Sequence, residues 1–114
     1  MNNRIIKFRV WDKINKKFRN PTFQNIDTNT IFKDDGILEF NQFTSMVDKV
    51  GREIYEYDIV KNKTGEIRLV RFDEIELKWG LEYTDFITFT QNLYSWKNDL
   101  EVIGNIYQNK NLLK

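Results

Sequence analysis

Apolar and polar residues alternate from Ile5 to Trp11, placing Ile6, Phe8 and Val10 on one face and Lys7, Arg9 and Trp11 on the other. A period of two is the mark of a half-buried strand. The polar stretch Asp12-Lys13-Ile14-Asn15-Lys16 predicts a turn. Lys17-Phe18-Arg19 predicts the start of a return strand, which Asn20-Pro21 ends because proline constrains the residue before it and donates no ladder hydrogen bond. Gln24 to Asn29 is polar and turn-prone. Thr30-Ile31-Phe32-Lys33 predicts a short strand closed by the hairpin signal Asp34-Asp35-Gly36, and Ile37 to Thr44 predicts its continuation.

Asp48-Lys49-Val50-Gly51 predicts a further turn and the boundary between an N-terminal β-rich subdomain, residues 1–50, and a second subdomain, residues 51–114. In the second part, Asp58 to Asn62 and Ile67 to Phe72 predict two strands joined by the tight turn Lys63-Thr64-Gly65-Glu66. Leu77 to Tyr83, Phe86 to Thr90 and Leu100 to Tyr107 predict three more, and Gln91 to Asn98 reads as a helical turn or a loop. Strands this short and closely spaced predict a small antiparallel barrel of about five strands. A short tail follows, with Leu112 and Leu113 as its apolar anchor.

Composition narrows the chemistry. The 114 residues are 40% hydrophobic and 31% charged, with nine Phe, five Tyr and three Trp, so core material is ample. No run approaches the roughly 20 apolar residues of a membrane span, and the amino terminus lacks a signal peptide's apolar stretch, so the expected location is the cytoplasm. With no His and no Cys, the chain has no Ser-His-Asp triad, no thiol nucleophile and no imidazole or thiolate zinc site. Enzymatic readings that survive rest on carboxylates with Mg²⁺, on a carboxylate pair, or on Lys or Tyr.

Charge is unevenly spread beneath a net charge of +1. Residues 1–20 hold seven basic side chains against one acidic, a balance of +6, and residues 21–60 hold three against eight, a balance of −5. The two stretches can neutralise each other within one chain or meet across neighbouring copies.

Three blocks stand out together: Ile6-Lys7-Phe8-Arg9-Val10-Trp11-Asp12, then Gln42-Phe43-Thr44 running through Asp48, Gly51 and the stretch from Glu53 to Val60, then Glu101 to Asn109. In that order they resemble the YopX-like family of phage proteins. This chain departs from the family pattern where Ser45-Met46 replaces Gly-Leu, Val50 replaces Asn, Tyr57 replaces Gly and Lys110 replaces Pro. The resemblance implies phage or prophage origin and a mainly β protein, an SH3-like antiparallel barrel with a smaller N-terminal β-rich subdomain. It supplies no activity, cofactor or catalytic residue.

Four groups are candidate sites. Lys7, Arg9 and Trp11, with nearby Lys13, Lys16, Lys17 and Arg19, combine phosphate-binding cations with an aromatic platform, as sequence-tolerant nucleic-acid binders do. The competing reading packs Trp11 in a core and leaves the cations solvated. Asp48, Glu53, Glu56 and Asp58 can collect oxygen ligands for Mg²⁺ or Ca²⁺, or else open strands by bonding backbone amides, which their irregular spacing favours. Asp73-Glu74-Ile75-Glu76 with Asp34-Asp35 contains carboxylates, but nothing in the sequence brings them together. Among the late aromatics Trp79, Tyr83, Phe86, Phe89, Tyr94, Trp96 and Tyr107, most belong to a core, and Tyr94 and Trp96 are the expected external anchors for a protein partner. The favoured reading is a non-enzymatic accessory module that binds protein, self-association included, without cofactor or metal. A nucleic-acid binder is the alternative, and a metal-dependent enzyme comes third.

Overall fold

In the computed structural model, which describes residues 6–19, 37–74, 77–82 and 89–113 (backbone alone for 89–92), the alternating start of the chain forms strand β1, Phe8–Asp12. It pairs antiparallel with β2, Lys17–Arg19, and with β3, Leu38–Val47. Trp11 stands opposite Phe18 and Glu39, and Val10 opposite Arg19 and Phe40. Strand β4, Glu53–Tyr55, completes a sheet of order β2-β1-β3-β4. That fourth strand is not among the expected ones, because three residues are too few for alternation to register. The strand expected at Thr30–Lys33 and the turns at Gln24–Asn29 and Asp34–Gly36 lie outside the described residues.

The second sheet contains β5, Asp58–Lys61, β6, Ile67–Asp73, β7, Lys78–Glu82, β8, Phe89–Asn92, and β9, Glu101–Asn105. All its pairings are antiparallel, in the order β8-β7-β6-β5-β9, and the sheet curls into a half-barrel. Register shifts in the β5–β9 and β7–β8 pairs mark bulges, which increase local twist and bend a sheet toward closure. The β5–β6 turn is set by Asn62, whose Oδ1 accepts from the N–H groups of Thr64 and Glu66 at 3.1 and 3.0 Å, while Gly65 takes φ of 86°. The mainly β architecture expected from the sequence is therefore present.

Contacts divide the chain into two compact units, Met1–Phe43 and Thr44–Lys114, with β3 running from one into the other. The second unit holds a core of Ile54, Val60, Val70, Leu81, Leu93, Trp96 and Leu100, against which Met46, Trp79 and Val102 pack. Gln91 and Asn92 finish β8, and a 3-10 turn, Leu93–Trp96, then delivers Leu93 and Trp96 to the core. A second 3-10 turn, Lys110–Leu113, packs near β6. Among the described residues no helix is long and apolar enough to cross a membrane.

Among the described residues four non-glycine positions take positive φ, Lys16, Ser45, Tyr57 and Leu77, and two of them bear on the family pattern. Ser45, within β3, has φ of 71°, and Tyr57, between β4 and β5, has φ of 69°. These are the positions where the YopX-like pattern carries glycine, so the left-handed conformation is kept although the residue that favours it is absent. Such a conformation costs an ordinary residue roughly 1–2 kcal/mol. At Tyr57 the surroundings hold it: its N–H donates to the Val70 carbonyl at 2.8 Å and its carbonyl accepts from the Ile106 N–H at 2.9 Å. Its ring meets Tyr107 edge-on, 6.2 Å between centroids.

Gly104 is required for a different reason. A Cβ there would lie 2.8 Å from the Cβ of Asn109 and 2.6 Å from its Oδ1. That Oδ1 accepts from the Asn105 N–H, and Asn105 in turn accepts from the N–H groups of Tyr107 and Gln108 at 3.0 and 2.9 Å. The segment after β9 thus folds back onto the strand. Urea denaturation should show Gly104→Ala destabilised by about 1–3 kcal/mol, because a Cβ cannot swing aside as a side-chain tip can. Ser45→Gly should instead raise stability by up to about 1 kcal/mol, relief of strain exceeding the added chain entropy.

Candidate functional site

The basic opening of the chain divides into two groups. Arg9 donates from Nε to Asn41 Oδ1 at 3.0 Å, and its guanidinium lies 4.3 Å from the centre of the Phe18 ring. Trp11 meets the same ring edge-on at 4.9 Å and is only 7% exposed. Its face is therefore not presented to solvent as a stacking platform. Lys7 sits 5.9 Å from the centre of the Phe43 ring. These side chains brace the first sheet through cation–aromatic and hydrogen-bonding contacts.

The remaining cations surround the β1–β2 turn. Lys13 pairs with Glu39 at 2.9 Å and Arg19 approaches Asp12 at 3.5 Å, whereas Lys16 and Lys17 are exposed and make no ion pair among the described residues. Asp12 builds the turn. Its Oδ1 accepts from the N–H groups of Ile14 and Asn15 at 2.9 and 3.0 Å, its Oδ2 from the Asn15 side-chain amide at 2.8 Å, and its carbonyl from the Lys16 N–H at 2.8 Å. The Asn15 bonds are the main reason its acid lies below the ordinary aspartate range; Ile14 and Arg19 act in the same direction and burial opposes them. Ile14, which sequence reasoning passed over, projects from the turn at 69% exposure. The available signal was a lone aliphatic residue among five turn residues.

The carboxylates proposed for metal binding are engaged otherwise. Asp48 is buried; Oδ1 accepts from the N–H groups of Val50 and Arg52 at 3.0 and 2.8 Å, and Oδ2 from the Val102 N–H at 3.0 Å, with the Arg52 guanidinium 3.3 Å away. Asp58, also buried, accepts from the Tyr55 N–H at 2.8 Å, and Glu53 accepts from the Tyr55 hydroxyl at 3.2 Å. Glu56 is half-buried on the β4–β5 turn. Among the described residues no three such side chains are grouped to hold a metal ion. Asp73 is buried at the end of β6 and Glu74 is exposed beside it, while Glu76, Asp34 and Asp35 lie outside the described residues.

Tyr94 and Trp96 part company on the 3-10 turn. Trp96, expected on the outside, is a core residue, because a three-residue turn carries positions 93 and 96 to the same side. The Arg68 guanidinium lies 5.6 Å from its ring centre. Tyr94 is exposed; the Lys97 ammonium donates to its hydroxyl at 2.9 Å and holds the phenol below its ordinary range.

Asp48 gives the clearest pH dependence. Burial pushes its acid up, yet the N–H groups of Val102, Arg52 and Val50 and the Arg52 charge outweigh burial and hold it below the ordinary range. A folded-state value below the unfolded one means that the stabilisation is present at neutral pH and is lost as pH falls below roughly 3.9. Asp48→Asn should cost about 1–3 kcal/mol at neutral pH, because the Val102 N–H then faces an amide NH₂ in place of Oδ2 and the charge opposite Arg52 is lost. Its denaturation midpoint should also fall less steeply than the parent's on acidification.

The comparisons agree with this architecture. A solved structure, protein EF1440 from Enterococcus faecalis, superposes with a TM-score of 0.68 at 22% identity, over 98% of this chain and 100% of that one. At that identity the likeness speaks for the fold. The search of curated proteins finds no match. The family model described as YopX protein matches residues 7–114, nearly the whole chain, which therefore belongs to the YopX family.

Proposed function

We propose that the chain is a non-enzymatic phage or prophage accessory protein, a cytoplasmic β-rich module that works by protein contact, with a second copy of itself as the first partner. The observation that carries this reading is an apolar face on the first sheet. Phe8 is 37% exposed and meets half-buried Phe40 edge-on, 6.5 Å between centroids, and Ile6, two residues earlier, is 70% exposed. Adjacent exposed apolar side chains on a sheet favour a partner that removes them from water. The opposite charges of residues 1–20 and 21–60 make one copy electrostatically complementary to another. Asp12, Asp48 and Asp58 support a non-enzymatic role, because their oxygens are engaged with backbone N–H groups.

Size-exclusion chromatography with light scattering tests the reading. The parent should exceed the monomer mass at about 100 μM, a concentration that populates even weak dimers. Phe8→Asp should be monomeric and still folded, with a lower melting temperature because the contact with Phe40 is lost. A parent that stays monomeric, or a Phe8→Asp variant that still associates, contradicts the proposal.

A further inference from the structure

The apolar face leaves the β1–β2 turn unexplained. Ile14, 69% exposed, projects among Lys13, Lys16 and Lys17, and Arg19 is exposed on β2. Residues 12–19 contain four basic side chains and one acidic, and that acid, Asp12, is buried and turned onto the turn's own amides. Arg19 lies 3.5 Å from Asp12 and Lys13 pairs with Glu39, so the hairpin's excess positive charge rests on Lys16 and Lys17, in a chain whose net charge is +1. Lys16 and Lys17 make no ion pair among the described residues, whereas Lys13 pairs with Glu39 at 2.9 Å in a solvent-accessible position where such pairs hold weakly. The turn is also built in advance of any partner. Asp12 fixes three of its residues, and the Trp11–Phe18 contact and the Arg9 stack hold the strands beneath it.

We propose that this hairpin is a contact for duplex DNA, sequence-tolerant, with Lys13, Lys16, Lys17 and Arg19 on phosphates and Ile14 directed into the groove between them. A two-stranded ribbon fits the major groove, about 12 Å wide, and lysines beside the tip reach backbone on either side. An aliphatic tip makes van der Waals contact with thymine methyl groups or base edges, which are apolar in part. Magnitude favours DNA over a lipid surface. Burying one isoleucine removes far less apolar surface from water than a myristoyl chain, which by itself holds a protein only marginally on a bilayer. Phosphate contacts draw their strength from counterion release and do not need a larger apolar area.

The test is fluorescence anisotropy of the full chain with a labelled DNA duplex over a range of salt, beside sedimentation with vesicles containing phosphatidylserine. Binding at about 50 mM salt should weaken with a log–log slope of about −3, the value for three to four phosphates released. Lys16→Asn/Lys17→Glu should lower affinity at least about tenfold and flatten the slope by close to two contacts. Asparagine is chosen at position 16 because it tolerates that residue's φ of 53°. Ile14→Ser should weaken binding without altering the slope. These variants should remain folded with melting temperatures close to the parent's, because the side chains of Lys16, Lys17 and Ile14 take no part in the Asp12 network and the Lys16 N–H that does is kept. No binding at low salt, a slope indifferent to the lysine substitutions, or vesicles bound as well as DNA would overturn the proposal. Phe8 lies away from the tip, so Phe8→Asp should retain the salt slope whether or not the chain self-associates.

Discussion

The arrangement of the second unit depends on the carboxylate of Asp48. It lies at the end of β3, is buried, and divides its two oxygens between the turn that follows and a strand more than fifty residues later. Turn closure and edge pairing are usually separate problems in a β protein; here one side chain addresses both. By accepting from Val102 it occupies an outward N–H of β9, which is the last strand in its sheet. Asn109 does the same at Asn105. Sheet edges with unpaired N–H groups attract further strands, and side-chain acceptors placed there blunt that tendency. An Asp at such a point must remain ionised, and the hydrogen bonds that define its position also keep its acid below the ordinary range.

The same device recurs on a smaller scale. Asp12 folds the first hairpin, Asp58 accepts from Tyr55 across the β4–β5 turn, Asn62 sets the β5–β6 turn and Asn105 sets the segment after β9. Short strands contribute little hydrophobic stabilisation apiece, so a protein of this size gains register from turns that are internally bonded. The consequence for function is that several polar residues of the family-like blocks are occupied structurally. The surfaces proposed for recognition are side chains outside these networks, the apolar pair Ile6 and Phe8 and the cationic hairpin around Ile14.

Alternation located β1, although its burial does not alternate, since Val10, Trp11 and Asp12 are all buried while Phe8 is exposed; Gly65 and Gly51 made two turns legible, because these are local signals with one cheap solution. Other features depended on distant partners. Trp11 was placed on the correct face, but alternation specifies a face and not its cover; Phe18 across the hairpin supplies that cover. β4 exists through pairing with β3, and its three residues carry no period. Trp96 turns inward because of a 3-10 geometry that leaves no mark on hydrophobic spacing. Ser45 and Tyr57 adopt positive φ without the usual residue to announce it, and only the family pattern pointed there. For the carboxylates, sequence offered both metal binding and backbone bonding; which amides lie within reach is a tertiary fact.

The central claim, that Asp48 joins turn and edge as an ionised acceptor, is tested most directly by NMR. The experiment follows the Asp48 carboxyl through an acid titration together with hydrogen exchange at the Val102 amide. The account predicts a carboxyl that titrates below the ordinary aspartate range and a Val102 amide that exchanges slowly until that carboxyl is protonated. A carboxyl titrating at or above the ordinary range, with a Val102 amide exchanging as fast as an open strand edge, would contradict it.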